Sequence, residues 1–297
     1  MRVLAFDIGG TAIKIGVINE KGQILESCET PTSAERGGEA LINNILEIIG
    51  RYKNIDKIGI STAGQVDHIN GKIIFASENI PGWTGMEIKK RIEETYNLPA
   101  AVENDVNAAA LGEAYYGAGI NNKTFLCLAY GTGVGGAIVE NGEIYRGAFG
   151  SAGEFGHTIT HAGGRDCTCG GKGCYEAYAS TSALVRIVKQ ELGMEEVNGR
   201  IIFKLLEEEN EDIKRILHDW MQEIITGLIN FIHIFNPSLI VLGGGIMSQP
   251  YIIKYIKENL PKQVMPNYNR VKIIEAKLGN NAGIIGAAVM AGISARK

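Results

Sequence analysis

TFLCLAYGTGVGGAIVENGEIYRG, residues 124–147, is punctuated as a buried strand, a loop of glycine and threonine, and a hairpin. Short apolar runs bounded by Gly, Asn and polar turns have this meaning in general. The same unit stands at the N-terminus. VLAFDIG (3–9) reads as a buried strand, and KIGVINEKGQILES (14–27) as a hairpin turning at Glu20-Lys21-Gly22. At an offset of 120, Gly16, Ile18, Glu20, Gly22 and Ile24 recur as Gly136, Ile138, Glu140, Gly142 and Ile144. Hairpins share turn chemistry whatever their origin, so these identities alone do not establish duplication. The glycine loops ahead of each hairpin, DIGGT and YGTGVGG, tip the reading toward it.

Working outward, residues 38–52 have helical periodicity, and DKIGISTAG (56–64) is a strand running into a glycine loop. MEIKKRIEETYNLPA (86–100) is a helix stopped by Pro99, and VENDVNAAALGEAYYG (102–117) a short strand feeding a helix of small residues. Helices follow at 180–192, 200–208 and 211–235. PSLIVLGGGIM (237–247) is a strand entering glycines, and NNAGIIGAAVMAG (280–292) a closing helix. Strands alternating with helices define an α/β architecture. No long Pro/Ser-rich linker interrupts it, so two lobes around a cleft are expected: 1–117, with a helix at 282–297 packing back on it, and 118–281.

Composition excludes several classes. Of 297 residues, 45% are hydrophobic and 21% charged, enough apolar material for a packed core. The net charge of −4 gives no reason to expect nucleic acid as a partner. MRVLAFDIGG is no signal peptide. WMQEIITGLINFIHIF (220–235) is interrupted by Glu223 and His233, and AGIIGAAVMAGISA (282–295) is too short to span a bilayer. A soluble cytoplasmic protein without a membrane partner is expected.

Three glycine-rich strand ends stand out. DIGGTAIK (7–14) offers Asp7, Gly9, Gly10, Thr11 and Lys14; YGTGVGGA (130–137) offers Gly131, Thr132, Gly133 and Gly135; LGGGI (242–246) offers Gly244 and Gly245. Glycines let successive N–H groups approach a phosphate, and an acid at a strand end suits Mg²⁺ held through water. None is a Walker A or dinucleotide loop, and each alone reads equally as a tight turn. Three of them over two related lobes favour a nucleotide.

CTCGGKGC (167–174) holds three of the five cysteines, Cys167, Cys169 and Cys174; Cys28 and Cys127 are isolated, ordinary thiols. CxC is not redox spacing, and three thiolates with one imidazole form a common closed, structural Zn²⁺ set. His157 and His161 both stand at suitable spacing upstream. In VENDVNAAALGEA (102–114), Asn104 and Asp105 fall where a strand passes into a helix, and spacing alone favours a helix cap over catalysis. Glu103 and Glu113 read as structural or solvated.

The DxGGTxxK loop, ENDVNAAALGE, GTGxGG, GEFGH and CTCGGKGC-YE, in this order between residue 3 and about 290, together resemble the ROK family of repressors and sugar kinases. The resemblance implies the duplicated actin-like, ribonuclease-H-like α/β fold, with Mg-ATP as phosphoryl donor and a hexose or N-acetylated hexosamine as acceptor. It implies Asp105 as catalytic base and His157 as the fourth zinc ligand. Asn79, Asn104, Asp105, Glu154, His157 and Glu176 would contact the sugar, with the zinc holding the last three in shape. Glucose at its 6-hydroxyl leads the expected substrates, ahead of N-acetylmannosamine, fructose and β-glucosides. A homodimer is the family's common state. A sugar-responsive regulator is disfavoured because the first loop strand begins by residue 3, leaving no room for a helix-turn-helix, and an actin-like ATPase or chaperone would need no polyol pocket. One departure stands out: the family's G-x-P-G loop reads STAG (61–64) here, with Ala63 where proline would fix φ.

Overall fold

β1 (Arg2–Ile8) and β2 (Ala12–Asn19) pair antiparallel from Arg2↔Asn19 to Ile8↔Ile13, so Gly9, Gly10 and Thr11 are the turn between them. The computed structural model describes residues 1–77 and 79–293. β3 (Ile24–Pro31) continues the meander, α1 (Gly38–Arg51) crosses over, and β4 (Lys57–Thr62) returns parallel to β1. A small hairpin, β5 (Gln65–Asp67) and β6 (Lys72–Phe75), precedes α2 (Ile88–Tyr96), β7 (Ala100–Asn104) and α3 (Asp105–Tyr116). The sheet order is β3-β2-β1-β4-β7. Val3, Leu4, Ala5, Phe6 and Ile8 are all fully buried, which explains why β1 reads as an unbroken apolar run rather than an alternating one. Pro99 does not end α2. Asn97 does so first, in the left-handed conformation at φ 53°.

The pattern repeats. β8 (Phe125–Tyr130), β9 (Val134–Glu140) and β10 (Glu143–Ile144) are followed by α4 (Glu176–Ala179), α5 (Thr181–Leu192), α6 (Gly199–Glu207) and α7 (Glu211–Phe235). Then come β11 (Leu239–Gly243), α8 (Pro250–Asn259), β12 (Lys272–Glu275) and α9 (Ala282–Met290). The order β10-β9-β8-β11-β12 reproduces the first sheet: a hairpin meander on one side, parallel strands on the other. The reading of 237–247 as one strand shortens to β11, because Gly244 (φ 94°) turns the chain into a 3-10 segment, Gly245–Ser248.

By contact the chain divides into two compact units: Met1–Lys123 with Ala137–Ala152 and the segment from Lys277, and Thr124–Gly136 with Gly153–Ala276. β9 runs from the second into the first. The first unit's core gathers Leu4, Phe6, Ile42, Ile45, Ile60, Trp83 and Ile92 on its sheet. The second is built on α7, whose Trp220, Met221, Ile224 and Phe231 are buried, Phe231 stacking on Phe155 at 4.5 Å. The helix expected over 282–297 is α9; residues 294–297 lie outside the described residues. Among those described, no helix is long and apolar enough to cross a membrane.

α9 is apolar all round because it packs backbone to backbone on α3. A Cβ at Gly286 would lie 1.6 Å from the Ala108 carbonyl oxygen, and one at Gly112 2.6 Å from that of Ala282. Gly286→Ala must push the helices apart, and overpacking in a filled core costs about 1–3 kcal/mol. The urea midpoint is expected to fall with the m-value unchanged. An unaltered midpoint would show that this approach is not needed for stability.

Candidate active site and metal centre

The carboxyl ends of β1, β4 and β7 share one sheet edge in the first unit, with Asp7↔Ser61 and Thr62↔Asn104 in register. In open α/β sheets, ligands bind at such edges. Ser61 donates its hydroxyl to Asp7 Oδ1 at 2.6 Å. Burial pushes the Asp7 carboxyl up, opposed by Ser61 and by Lys14, its cross-strand neighbour. Gly9, Gly10 and Thr11 are exposed, and the turn is braced by Thr32, whose hydroxyl donates to Gly9 O at 2.6 Å.

Asp105 is the first residue of α3, but the cap is Asn104. Its Oδ1 accepts from the N–H groups of Val106 (2.9 Å) and Asn107 (3.1 Å). That orientation commits the amide nitrogen, which donates to Gly64 O at 3.0 Å and Asp105 Oδ1 at 2.9 Å. Asp105 Oδ1 also accepts from Val106 N–H at 2.9 Å, so both of these hydrogen bonds fall on one oxygen, Oδ1. Burial and the nearby Asp7 charge push this carboxyl up to about 6, against the hydrogen bonds that stabilise its ionised form. The structure therefore separates the two roles that spacing could not: Asn104 caps, and Asp105 is held beside the cap. The loop with Ala63 is pinned through Gly64 O by the same Asn104 amide. Asn79 is exposed in the turn after β6.

In the second unit the four expected metal ligands converge. Donor atoms of His157, Cys167, Cys169 and Cys174 all lie within 4.8 Å of one another. Cys169 Sγ and Cys174 Sγ are 3.6 Å apart, and His157 Nδ1 is 3.7 Å from Cys167 Sγ. A tetrahedron with metal–sulfur bonds of about 2.3 Å has edges of roughly 3.8 Å, so the donor set fits Zn²⁺. Gly173 makes the loop possible. At φ 77° it lies 1.7 Å, measured from a would-be Cβ, from His161 O, and its own carbonyl accepts from Thr160 and His161. His161 is engaged elsewhere, stacked on Tyr178 at 3.9 Å and 3.5 Å from Glu223. Glu176 sits against the cluster: Oε1 is 3.8 Å from His157 Nδ1 and accepts from Thr168, while Oε2 accepts from Val134 N–H at 3.3 Å. Glu154 is exposed, immediately ahead of the 3-10 turn Phe155–His157.

The other glycine loops also meet in this unit. Gly244 packs so closely on the end of β8 that a Cβ would be 2.1 Å from Tyr130 O. Gly131, Thr132 and Gly245 thereby line one cavity of about 1050 Å³. The Thr181 hydroxyl is buried there without a protein partner. Arg186, Lys189, Arg200, Phe203 and Gln249 are also in the wall, and among the described residues no carboxylate joins them. None of these sits in a sequence motif, and basic residues on an amphipathic helix ordinarily form its solvated face. Glu103 and Glu113, each 1% exposed, are structural. Glu113 accepts from Ala118 N–H (2.6 Å) and Leu278 N–H (2.7 Å).

Two repeats of three meandering strands, each followed by parallel strands and helices, define the duplicated actin-like fold. The chain belongs to the ROK family, which it matches over residues 3–293. The ROK hexokinase of Thermus thermophilus superposes with a TM-score of 0.83 at 32% identity, covering 98% of both chains. A ROK family glucokinase from Streptomyces griseus, solved with glucose and AMPPNP, gives 0.86 at 30% identity over 98% of this chain and 99% of that one. A β-glucoside kinase of Listeria monocytogenes is 34% identical over 292 residues, 97% of this chain and 96% of the relative.

Proposed function

We propose that this protein is a sugar kinase that transfers the γ-phosphoryl group of ATP to a hexose, with glucose at its 6-hydroxyl as the leading substrate. The observation that carries the reading is Asp105, a carboxylate restrained through one oxygen and poised near 6 at a ligand-binding sheet edge. A general base works best with a pKa near the operating pH. The family relationship to a hexokinase, a glucokinase and a β-glucoside kinase supports the same chemistry.

In this reading Asp105 Oδ2 accepts the proton of the attacking hydroxyl as the new O–P bond forms. The bond from phosphorus to the β–γ bridging oxygen breaks, and ADP leaves with its electron pair. Asn104 orients Asp105, its own amide being already engaged. Asn79, Glu154, His157 and Glu176 bind the sugar hydroxyls. If His157 ligates zinc through Nδ1, the nitrogen on the cysteine side, its Nε2–H is left to donate to a hydroxyl. Gly9, Gly10 and Thr11, with Lys14, serve phosphates, and Gly131, Thr132, Gly133, Gly135, Gly244 and Gly245 serve the nucleotide. The cationic, carboxylate-free wall of the second unit's cavity suits an anionic nucleotide. Mg²⁺, when bound, neutralises charge on the transferring phosphates, and Asp7 is the residue that would hold it. Zn²⁺ supplies no open coordination position; its role is to shape the loop that carries His157 and Glu176.

The test is initial-rate ADP release with Mg-ATP in the absence of sugar and with glucose, N-acetylmannosamine, fructose, mannose or cellobiose. Strong stimulation by glucose is expected. Stimulation by another of these sugars would keep the kinase and change its substrate, whereas a flat panel from zinc-containing protein would overturn the reading.

A further inference from the structure

Glu103 immediately precedes the Asn104–Asp105 pair, is 1% exposed, and is not merely tolerated there. Its Oε1 accepts from Asn104 N–H at 3.0 Å and from Asn107 Nδ2 at 3.1 Å. Its Oε2 receives a two-pronged bond from Arg146, Nη2 at 2.6 Å and Nε at 3.1 Å. Arg146 lies just after β10 and is itself tied to Ile144 O at 3.2 Å. One carboxylate thus joins the strand end, the first turn of α3 and a residue 43 positions away.

We propose that Arg146 and Glu103 are positioning residues for Asp105, the guanidinium holding the Glu103 carboxylate as a pure acceptor that fixes the Asn104 backbone. This rests on the reading of Asp105 as the base of a sugar kinase. The logic is that of a buried pair. Arg146 compensates an enclosed charge and fixes Oε2, which aims Oε1 at the two N–H groups; without the fork the carboxylate is free to turn away from Asn104 N–H. Asn104 then loses its backbone anchor, and its side chain is what aims the Asp105 carboxylate. The pair is neutral as a whole, so it orients the base without adding net charge beside it. A cavity of about 280 Å³ borders the pair on the side of His68 and Tyr115, so Arg146 has space to move if released.

Other charged groups face this region: Asp7 on β1, Lys14 on β2, His68 after β5 and Glu143 on β10. His68 feels both Arg146 and Glu103, so the double variant, which removes both charges together, is the control for its response.

The experiment compares Glu103→Gln, Arg146→Met, the double variant and Arg146→Lys in the intact protein, with the unaltered enzyme and Asp105→Asn alongside. A sugar-independent parent rate would refute the kinase reading itself; with a working parent, the variants test only this inference. Each single variant is expected to lose about 10–100-fold in kcat, since small misplacements of a reacting group cost on this scale, with KM for ATP unchanged. The acidic limb of the kcat/KM profile should move up in pH for Arg146→Met, which leaves an uncompensated negative charge. It should move down for Glu103→Gln, which leaves a positive one, and return toward the parent in the double variant. Arg146→Lys keeps the charge without the fork: its kcat should fall several-fold with the limb unmoved. Loss through general loosening would move both single-variant limbs alike. That result, or singles with kcat within twofold of the parent, overturns the proposal. Should either single fail to fold, Arg146→Lys decides alone, and parental kcat or a displaced limb there overturns it.

Discussion

Asp105→Asn is expected to lose about 10²–10⁴ in kcat, the usual worth of a positioned general base, while its melting temperature holds or rises. The two effects have one cause. Burial and Asp7 push the folded-state carboxyl from the ordinary 3.8 up to about 6. A carboxyl raised on folding binds its proton more tightly in the native state. Its contribution to stability is therefore most favourable below the unfolded value and declines as pH rises through the folded one. By neutral pH the ionised carboxylate costs about 1–3 kcal/mol, after allowance for its partial exposure. Asparagine keeps the shape and removes that cost. The parent's kcat/KM should correspondingly fall about tenfold per pH unit below about 6, as the base becomes protonated. Because Asp7 lies close enough to influence it, the limb reports the coupled pair rather than one residue. Turnover near the parent's, or a variant losing activity and melting temperature together, would sink the assignment.

Removal of the metal is the second large effect. Structural zinc contributes about 10–16 kcal/mol of apparent binding energy in small peptides at neutral pH. The loop from His157 to Glu176 has no strand or long helix of its own; besides the four candidate ligands it is held by two isolated bridges, Ile159↔Cys174 and Asp166↔Lys172, by local turns, and by His161 and Arg165 against Tyr178. Cys174→Ser places its change at the most buried of the ligands, 3% exposed. One equivalent of zinc by elemental analysis is expected in the parent and none in the variant. Sugar-stimulated ADP release should be lost, and hydrogen-exchange protection should drop over 157–176 while that of the β1–β4 sheet persists. Full activity after verified metal loss would refute the idea that the ion shapes the sugar-binding loop.

The elements that could be read in advance are those whose burial is complete. β1, β8 and β11 are continuous apolar runs because both faces of each are covered, and α7 carries an amphipathic stripe over 25 residues. The hairpin β5–β6 and the strand β12 escaped notice because they are short and half exposed, as KIIF and KIIE show. α8, opened by Pro250, likewise went unassigned. The candidate metal ligands were legible because a cluster written mostly in one loop keeps its spacing in sequence. Spacing left His157 and His161 open and the family resemblance favoured His157; the fold agrees by turning His161 away onto Tyr178.

The candidate catalytic segment divides in the same way. END at 103–105 could be recognised as a unit, where spacing favoured a cap and the resemblance a base at Asp105; the fold assigns the cap to Asn104, which takes the helix N–H groups. The tie between Glu103 and Arg146 spans 43 positions, and the cavity wall at Thr181, Arg186, Arg200 and Gln249 is assembled from several helices and loops. By itself, the order of residues marked out the strand–loop–hairpin units and the cysteine–histidine cluster, and, through the family resemblance, the acid to be tested as base. Tertiary structure alone decided which polar groups those residues were free to use. Hydrophobic periodicity and ligand spacing are local, whereas the commitment of each lone pair and each N–H is settled by partners far along the chain.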